Sequence, residues 1–284
     1  MQPPVVVGGL GGSGTRVVAE MLQLLGYYVG DDLNEPLDNL WFTFLFKRPD
    51  WYRKVEAGDD DAFAAALRVF VDSMHGKRPG ASSAGAIAAA FFDQIELPLG
   101  RVAWSSQRVA SLMRSRRHDH DPGRWGWKEP NSHLFLERLA AGLGPLRYVH
   151  VLRNGLDMAF SSNQQQLHNF GWLFGIDPKS SSAPEPRLAL QYWVAANTNA
   201  IETGQRLPDV EVCTLNFDLM CERPAEVIEP FVGFLGLEPG AVDMDRLVRC
   251  PVTPRGSGRF REQDLSQLRS QDIEAVARLG FAVT

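Results

Sequence analysis

Gly8-Gly9-Leu10-Gly11-Gly12-Ser13-Gly14-Thr15-Arg16 constrains this chain more than any other stretch. It follows a short β-branched run, Pro4 to Gly9, and precedes Arg16 to Leu25, where Val17, Met21, Leu22, Leu24 and Leu25 fall along one broad helical face. Strand, glycine-rich turn and helix in that order bring backbone N–H groups and the positive end of a helix dipole to one point, which attracts an anion. Glycines are costly in unfolded-state entropy, so their density here argues that something must approach the backbone closely. The bland alternative is a tight strand-to-helix turn that holds nothing.

The remaining pattern predicts an α/β fold in a single domain spanning 1–284, since 284 residues suffice for one large core. Strands are expected at Tyr27 to Val29, Gly126 to Lys128, Leu146 to Leu152 and Val210 to Leu215. Helices are expected at Asp61 to His75, Ser83 to Ile95, Ser105 to Arg116, Asp157 to Gln166, Arg187 to Arg206 and Pro224 to Leu235. Alternation of this kind implies a mainly parallel sheet flanked by helices, with ligands at the carboxyl ends of its strands. Gly171 to Pro186, rich in serine and proline, reads as a surface loop or lid.

The anion is open to more than one reading. Gly9, Gly11 and Gly14 spell GxGxxG, and Asp31 or Asp32 lies nearly where a ribose-binding acid belongs, so an NAD(P)-dependent oxidoreductase is one candidate. Against it, the long helical stretch that follows is at odds with quick βαβ succession. Gly9 to Arg16 also has P-loop length, but Thr15 stands where GxxxxGK[ST] needs lysine and Arg16 where it needs the magnesium-binding hydroxyl, which disfavours a Mg-ATP kinase. Arg16 opposes the dipole of its own helix unless an anion sits there too.

A second motif narrows the choice. Arg147 to Leu152 is a strand ending in Arg153, and a helix carrying Ser161 is expected to follow; a forked guanidinium at a strand end suits a phosphate, and a hydroxyl from the adjoining helix can assist. The competing reading is a local Arg153–Asp157 salt bridge. With both motifs in view, the sequence resembles the sulfotransferases that use 3′-phosphoadenosine-5′-phosphosulfate (PAPS). Ser13-Gly14-Thr15 is similar to the centre of their 5′-phosphosulfate loop, and Arg153 with Ser161 to their 3′-phosphate motif. Gly126-Trp127-Lys128-Glu129-Pro130 looks like the Lys-Asp/Glu-Pro segment of tyrosylprotein sulfotransferases and related bacterial enzymes. Arg255-Gly256-Ser257-Gly258-Arg259-Phe260 is a basic loop where that family often closes over the nucleotide.

The resemblance implies donor contacts from Gly11, Gly12, Ser13, Gly14, Thr15, Arg16, Arg153, Ser161, Arg255, Ser257, Gly258 and Arg259, with no metal. It also implies a general base shortly after the second strand. Glu35 is the first choice, in competition with a first-turn role in a helix after Pro36; Asp38 and His168 are the alternatives. The family's loop cation is replaced by Gly12, so Arg16 and Lys128 are the expected substitutes, with Lys128 nearer the leaving oxygen. The resemblance also implies a P-loop-like fold in which about 42–124 is a helical insertion that shapes the acceptor site. Trp41, just before it, and Phe42, Phe44, Phe46, Trp51 and Tyr52 within it are candidates for an aromatic pocket or, more simply, for core. The missing loop cation leaves a non-catalytic nucleotide-binding module as a further alternative.

Composition limits the partners. The formal net charge is −5, from 29 basic and 34 acidic residues, a poor match to nucleic acid or an anionic membrane. Cys213, Cys221 and Cys250 show no CxxC spacing, which predicts neither a disulfide framework nor a zinc site and fits a soluble protein of the reducing cytoplasm. The expected acceptor is a small molecule, a glycan or a tyrosyl group, and the sequence does not specify an oligomeric state.

Overall fold

The computed structural model describes residues 2–95, 100–114 and 123–284. Four short, mostly apolar segments, β1 (Val5–Gly9), β2 (Gly126–Lys128), β3 (Leu146–Leu152) and β4 (Val210–Asn216), form one parallel sheet in the order β2-β1-β3-β4. Because every pairing is parallel, Gly9, Lys128, Leu152 and Asn216 end at the same edge. That edge carries the site.

Period-2 alternation sends the strands' side chains to two cores. Val5, Val7, Val149 and Val151 face α1 (Thr15–Leu24) and a later helix carrying Ile228, Phe231 and Val232. Val6, Tyr148 and Leu152 face the opposite side, where a run of helices packs: α2 (Leu40–Phe46), α3 (Pro49–Glu56), α4 (Asp60–Met74), α5 (Ala84–Ile95), α6 (Gly100–Leu112) and α7 (Leu136–Leu143). Trp41, Phe42, Phe44 and Phe46 are fully buried here, and Phe42 stacks on Trp127 at 5.6 Å between ring centroids. Trp51 and Tyr52 are buried too, so the aromatic cluster is core.

The chain then continues through α8 (Gly155–Ala159), α9 (Gln165–Phe170), α10 (Glu185–Arg206), α11 (Phe217–Glu222), α12 (Pro224–Phe234), α13 (Met244–Leu247) and α14 (Ser270–Arg278). Most sequence expectations for helices hold to within a few residues. The expected helix Ser105 to Arg116 begins earlier, at Gly100, and its final residues lie outside the described residues.

Three expectations need correction. Tyr27 to Val29 is not a full strand but meets the sheet in a single bridge, Tyr28 to Trp125. The Tyr28 amide donates to the Arg124 carbonyl, and the Gly126 amide donates to the Tyr28 carbonyl. The helix expected from Asp157 to Gln166 is two helices, α8 and α9. Gln164 causes the break: its side-chain amide donates to the carbonyls of Met158, Ala159 and Ser161, satisfying the chain end of α8. Finally, no helix begins at Pro36. Asn34 to Leu37 is a turn closed by Leu37 N–H on the Asn34 carbonyl, and α2 starts at Leu40 with Asn39 as its cap. Among the described residues, no helix is long and apolar enough to cross a membrane.

Candidate active site

The glycine loop leaves β1 and enters α1 through Gly14, which has φ 97° and acts as the N-cap. Part of the loop's glycine content serves the protein itself, since a Cβ on Gly14 would run into the Phe217 ring and one on Gly9 into the Val151 carbonyl. The remaining backbone is open for a ligand. Among the described residues, the amides of Gly12, Gly14, Thr15 and Arg16 donate to no protein acceptor, and the buried Ser13 Oγ has no partner either. A row of unused donors at a helix N-terminus is an anion cradle.

Arg153 is brought to this loop. Its guanidinium, 7% exposed as a residue, donates to the Gly12 carbonyl at 3.3 Å and to Ser257 Oγ at 3.4 Å, while its Nε is buried without a partner. Both bonds are long and to neutral acceptors, so the charge remains uncompensated by any carboxylate within ion-pair distance among the described residues. The local Arg153–Asp157 pair is absent because Asp157 is used elsewhere: its carboxylate accepts the Gly258 amide at 2.7 Å and the Phe260 amide at 3.2 Å. Asp157 therefore pins the 255–260 loop beside Arg153. The turn after β3 is held from the other side by Asp218, which accepts the Asn154 amide at 2.8 Å. Burial raises the Asp218 carboxyl pKa, and that hydrogen bond is the main opposing influence.

Other expected donor contacts are placed less directly. Ser161 lies past the end of α8, and its Oγ accepts the Asn163 amide at 3.2 Å, so it does not project from a helix continuing out of β3. Arg255 is exposed. Arg259 folds back onto the Gly256 carbonyl at 2.9 Å, and of this loop it is Ser257 that reaches Arg153.

The three catalytic candidates meet around one turn. Asn34 closes it by accepting the Asp38 amide at 2.7 Å and donating to Asp38 Oδ2 at 2.8 Å, which throws Glu35 outward with its side chain 91% exposed. Arg16 stands 3.6 Å from the Glu35 carboxylate and donates to Glu20 at 3.0 Å. Lys128, with its side chain 3% exposed, reaches the turn from the end of β2 and donates to Asp38 Oδ1 at 2.5 Å and to the Pro36 carbonyl at 3.0 Å. Asp38 is thus engaged twice, which leaves Glu35 as the acid of this turn with its carboxylate open to solvent. His168 pairs with Glu185 at 2.9 Å on the surface, apart from this cluster's hydrogen bonds. Of the two acids that the dinucleotide reading offers for a ribose, Asp31 and Asp32, the second forms a nearly buried ion pair with Arg108 at 3.0 Å.

A model of the sulfotransferase family matches residues 3–240. The chain belongs to the sulfotransferase family. This sulfotransferase is similar in fold to the sulfotransferase domain of the Synechococcus PCC 7002 olefin synthase, with a TM-score of 0.51, 13% identity, and coverage of 100% of this chain and 98% of that one. It also matches the sulfotransferase domain from the curacin biosynthetic pathway (TM-score 0.49, 15% identity, 100% and 99% coverage). A third match is sulfotransferase STF1 from Mycobacterium tuberculosis H37Rv (TM-score 0.46, 15% identity, 98% and 77% coverage). No curated protein sequence matches the chain.

Sequence reasoning missed Asp157 and Asp218 as the clamps of the two turns, and Asn131 and Gln166, described below. Nothing local in the sequence marks Asp157 as a partner of Gly258, more than a hundred residues on; the only signal was its position one helical turn after Arg153.

Proposed function

We propose that this sulfotransferase moves a sulfuryl group from PAPS to a hydroxyl or phenol of a small molecule, glycan or tyrosyl acceptor and releases 3′-phosphoadenosine-5′-phosphate. The observation that carries the reading is the contact of Arg153 with the Gly12 carbonyl, because it joins the two anion-seeking turns into one site. One turn offers unused amides to the 5′ end of the donor, and the other offers an uncompensated guanidinium to the 3′-phosphate. The Asp157-pinned loop, with Ser257, Gly258 and Arg259, flanks the second.

In this proposal Glu35 accepts the acceptor's proton as the acceptor oxygen forms its bond to sulfur and the bond from sulfur to the bridging oxygen breaks. The leaving bisphosphate then carries the electron pair. Arg16 and Lys128, on either side of the Glu35 turn, supply the positive charge that the family's loop cation would provide at the Gly12 position. For Lys128 this requires that its ammonium exchange part of its bonding from Asp38 and the Pro36 carbonyl to the donor. The three free thiols, Cys213, Cys221 and Cys250, fit a reducing, cytoplasmic setting.

Incubation of the protein with PAPS and a panel of phenols, sugars and tyrosyl peptides, read by mass spectrometry for sulfated product, tests the activity. Sulfation of at least one acceptor with stoichiometric bisphosphate release supports it. Bisphosphate binding without transfer to any acceptor would favour the non-catalytic module instead.

A further inference from the structure

The Gly11 amide is the one N–H of the loop's glycine run that is already taken by a side chain: it donates to Gln166 Oε1 at 2.5 Å. Gln166 is on α9, and a Cβ on Gly11 would lie 3.5 Å from both Gln166 Oε1 and, just before that helix, Asn163 Nδ2. The glutamine is itself held. Its Nε2 donates to Asn131 Oδ1 at 2.9 Å, and Asn131 in turn donates to both oxygens of Glu129, at 2.9 Å from its side chain and 2.7 Å from its backbone. Every donor in this chain points towards the Glu129 carboxylate, so the amide of Gln166 cannot be flipped without setting like dipoles against each other. Asn131 and Glu129 are both buried.

The consequence is that a carbonyl oxygen is aimed at a loop in which the Gly12, Gly14, Thr15 and Arg16 amides donate to no acceptor among the described residues. A neutral amide oxygen is a weaker acceptor than an anionic one. We propose that Gln166 is a positioning residue that occupies the Gly11 amide in the free enzyme and yields it to the anionic 5′ group of the donor, with Asn131 and Glu129 setting its aim. The inference rests on the functional reading above, since it presumes that a phosphosulfate enters this loop. It adds that donor binding competes with a side chain of the protein, and that the competitor is built into α9.

Titration calorimetry with PAPS in the absence of acceptor tests it, on the full chain and on Gln166→Ala and Gln166→Glu. Removing the competitor should tighten PAPS about three- to tenfold, whereas a carboxylate at the same place should weaken it at least tenfold by holding the amide more strongly and repelling the anion. A purely structural role would weaken binding in both variants, so the opposite signs are diagnostic. If Gln166→Ala does not fold, Gln166→Met keeps the volume without the acceptor and takes its place with the same expectation. A wild type that binds PAPS while the Ala or Met variant fails to bind it more tightly overturns this inference alone. A wild type that binds neither PAPS nor the bisphosphate overturns the functional reading and this inference with it.

Discussion

The Arg153 guanidinium lies 3.3 Å from the carbonyl oxygen of Gly12, at the meeting point of two turns that are far apart in the chain. An arginine left with two neutral acceptors and a buried, unpartnered Nε is poised for a charged ligand. Arg153→Ala should weaken 3′-phosphoadenosine-5′-phosphate binding by about 1.5–3 kcal/mol, the usual scale for a hydrogen bond to a charged group. Calorimetry on the variant checks this, and unchanged affinity removes Arg153 from the donor site.

Glu35 and Lys128 should separate in kinetics from Arg153. Glu35 is exposed and its pair with Arg16 is a surface one, so Glu35→Gln should leave stability and bisphosphate affinity nearly intact. Turnover should fall by about a hundredfold or more if its carboxylate takes the proton. Lys128→Met should lower kcat by a comparable factor, on the scale of losing one electrostatic contact to the transition state. A Glu35→Gln enzyme with normal kcat moves the base elsewhere.

Two buried histidines predict acid lability. Burial holds His133 at about 4 and His150 at about 3, the latter helped by the neighbouring His133, against an ordinary 6.5. Both stay neutral when folded: His150 is bonded to Tyr148 at 2.6 Å and Asn197 at 2.9 Å, and His133 to the Pro130 carbonyl at 2.8 Å. The unfolded chain takes up these protons first, so stability is full above pH 6.5 and falls as pH drops below it. At pH 5 each histidine should have withdrawn about 2 kcal/mol. Urea unfolding at pH 7 and pH 5 measures the difference, and His133→Asn should flatten the slope; an equal slope in that variant refutes the assignment.

Arg48 and Asp93 provide a test of the helical region. The Arg48 side chain is 4% exposed, donates to Asp93 at 2.6 Å and stacks 4.0 Å over Trp51. Burial lowers its pKa to about 10, with Asp93 opposing. Asp93→Ala strands a buried guanidinium and should cost about 3 kcal/mol or more, read as a lowered urea midpoint. A loss below about 1 kcal/mol would mean that water reaches Arg48.

What could be read from the sequence was the structure that is local to it. Gly11 to Arg16 and the strand ending in Arg153 each carry their meaning within a dozen residues, because a strand end, a turn and a helix start are continuous in the chain. The parallel sheet followed from the same alternation. What could not be read were partners chosen by the fold: Lys128 with Asp38, Asp157 with Gly258, and Gln166 with Gly11. Ser161 was misplaced for a local reason, since the Gln164 side chain ends α8 by capping its carbonyls, an option that hydrophobic periodicity does not register. For Glu35 the sequence leaves a turn and a helix start after Pro36 both open because Pro36 suits either, and it is the Asn34–Asp38 pair of hydrogen bonds that decides for the turn.

In the proposed function the glycine loop and Arg153 grip opposite ends of one adenosine bisphosphate. Titration calorimetry of the wild-type protein with 3′-phosphoadenosine-5′-phosphate, with NAD in a parallel cell, addresses it directly. Saturable binding of the bisphosphate at one site per chain, abolished or strongly weakened in Arg153→Ala, is expected, with no heat from NAD. Binding of NAD without the bisphosphate, or of neither, would contradict it.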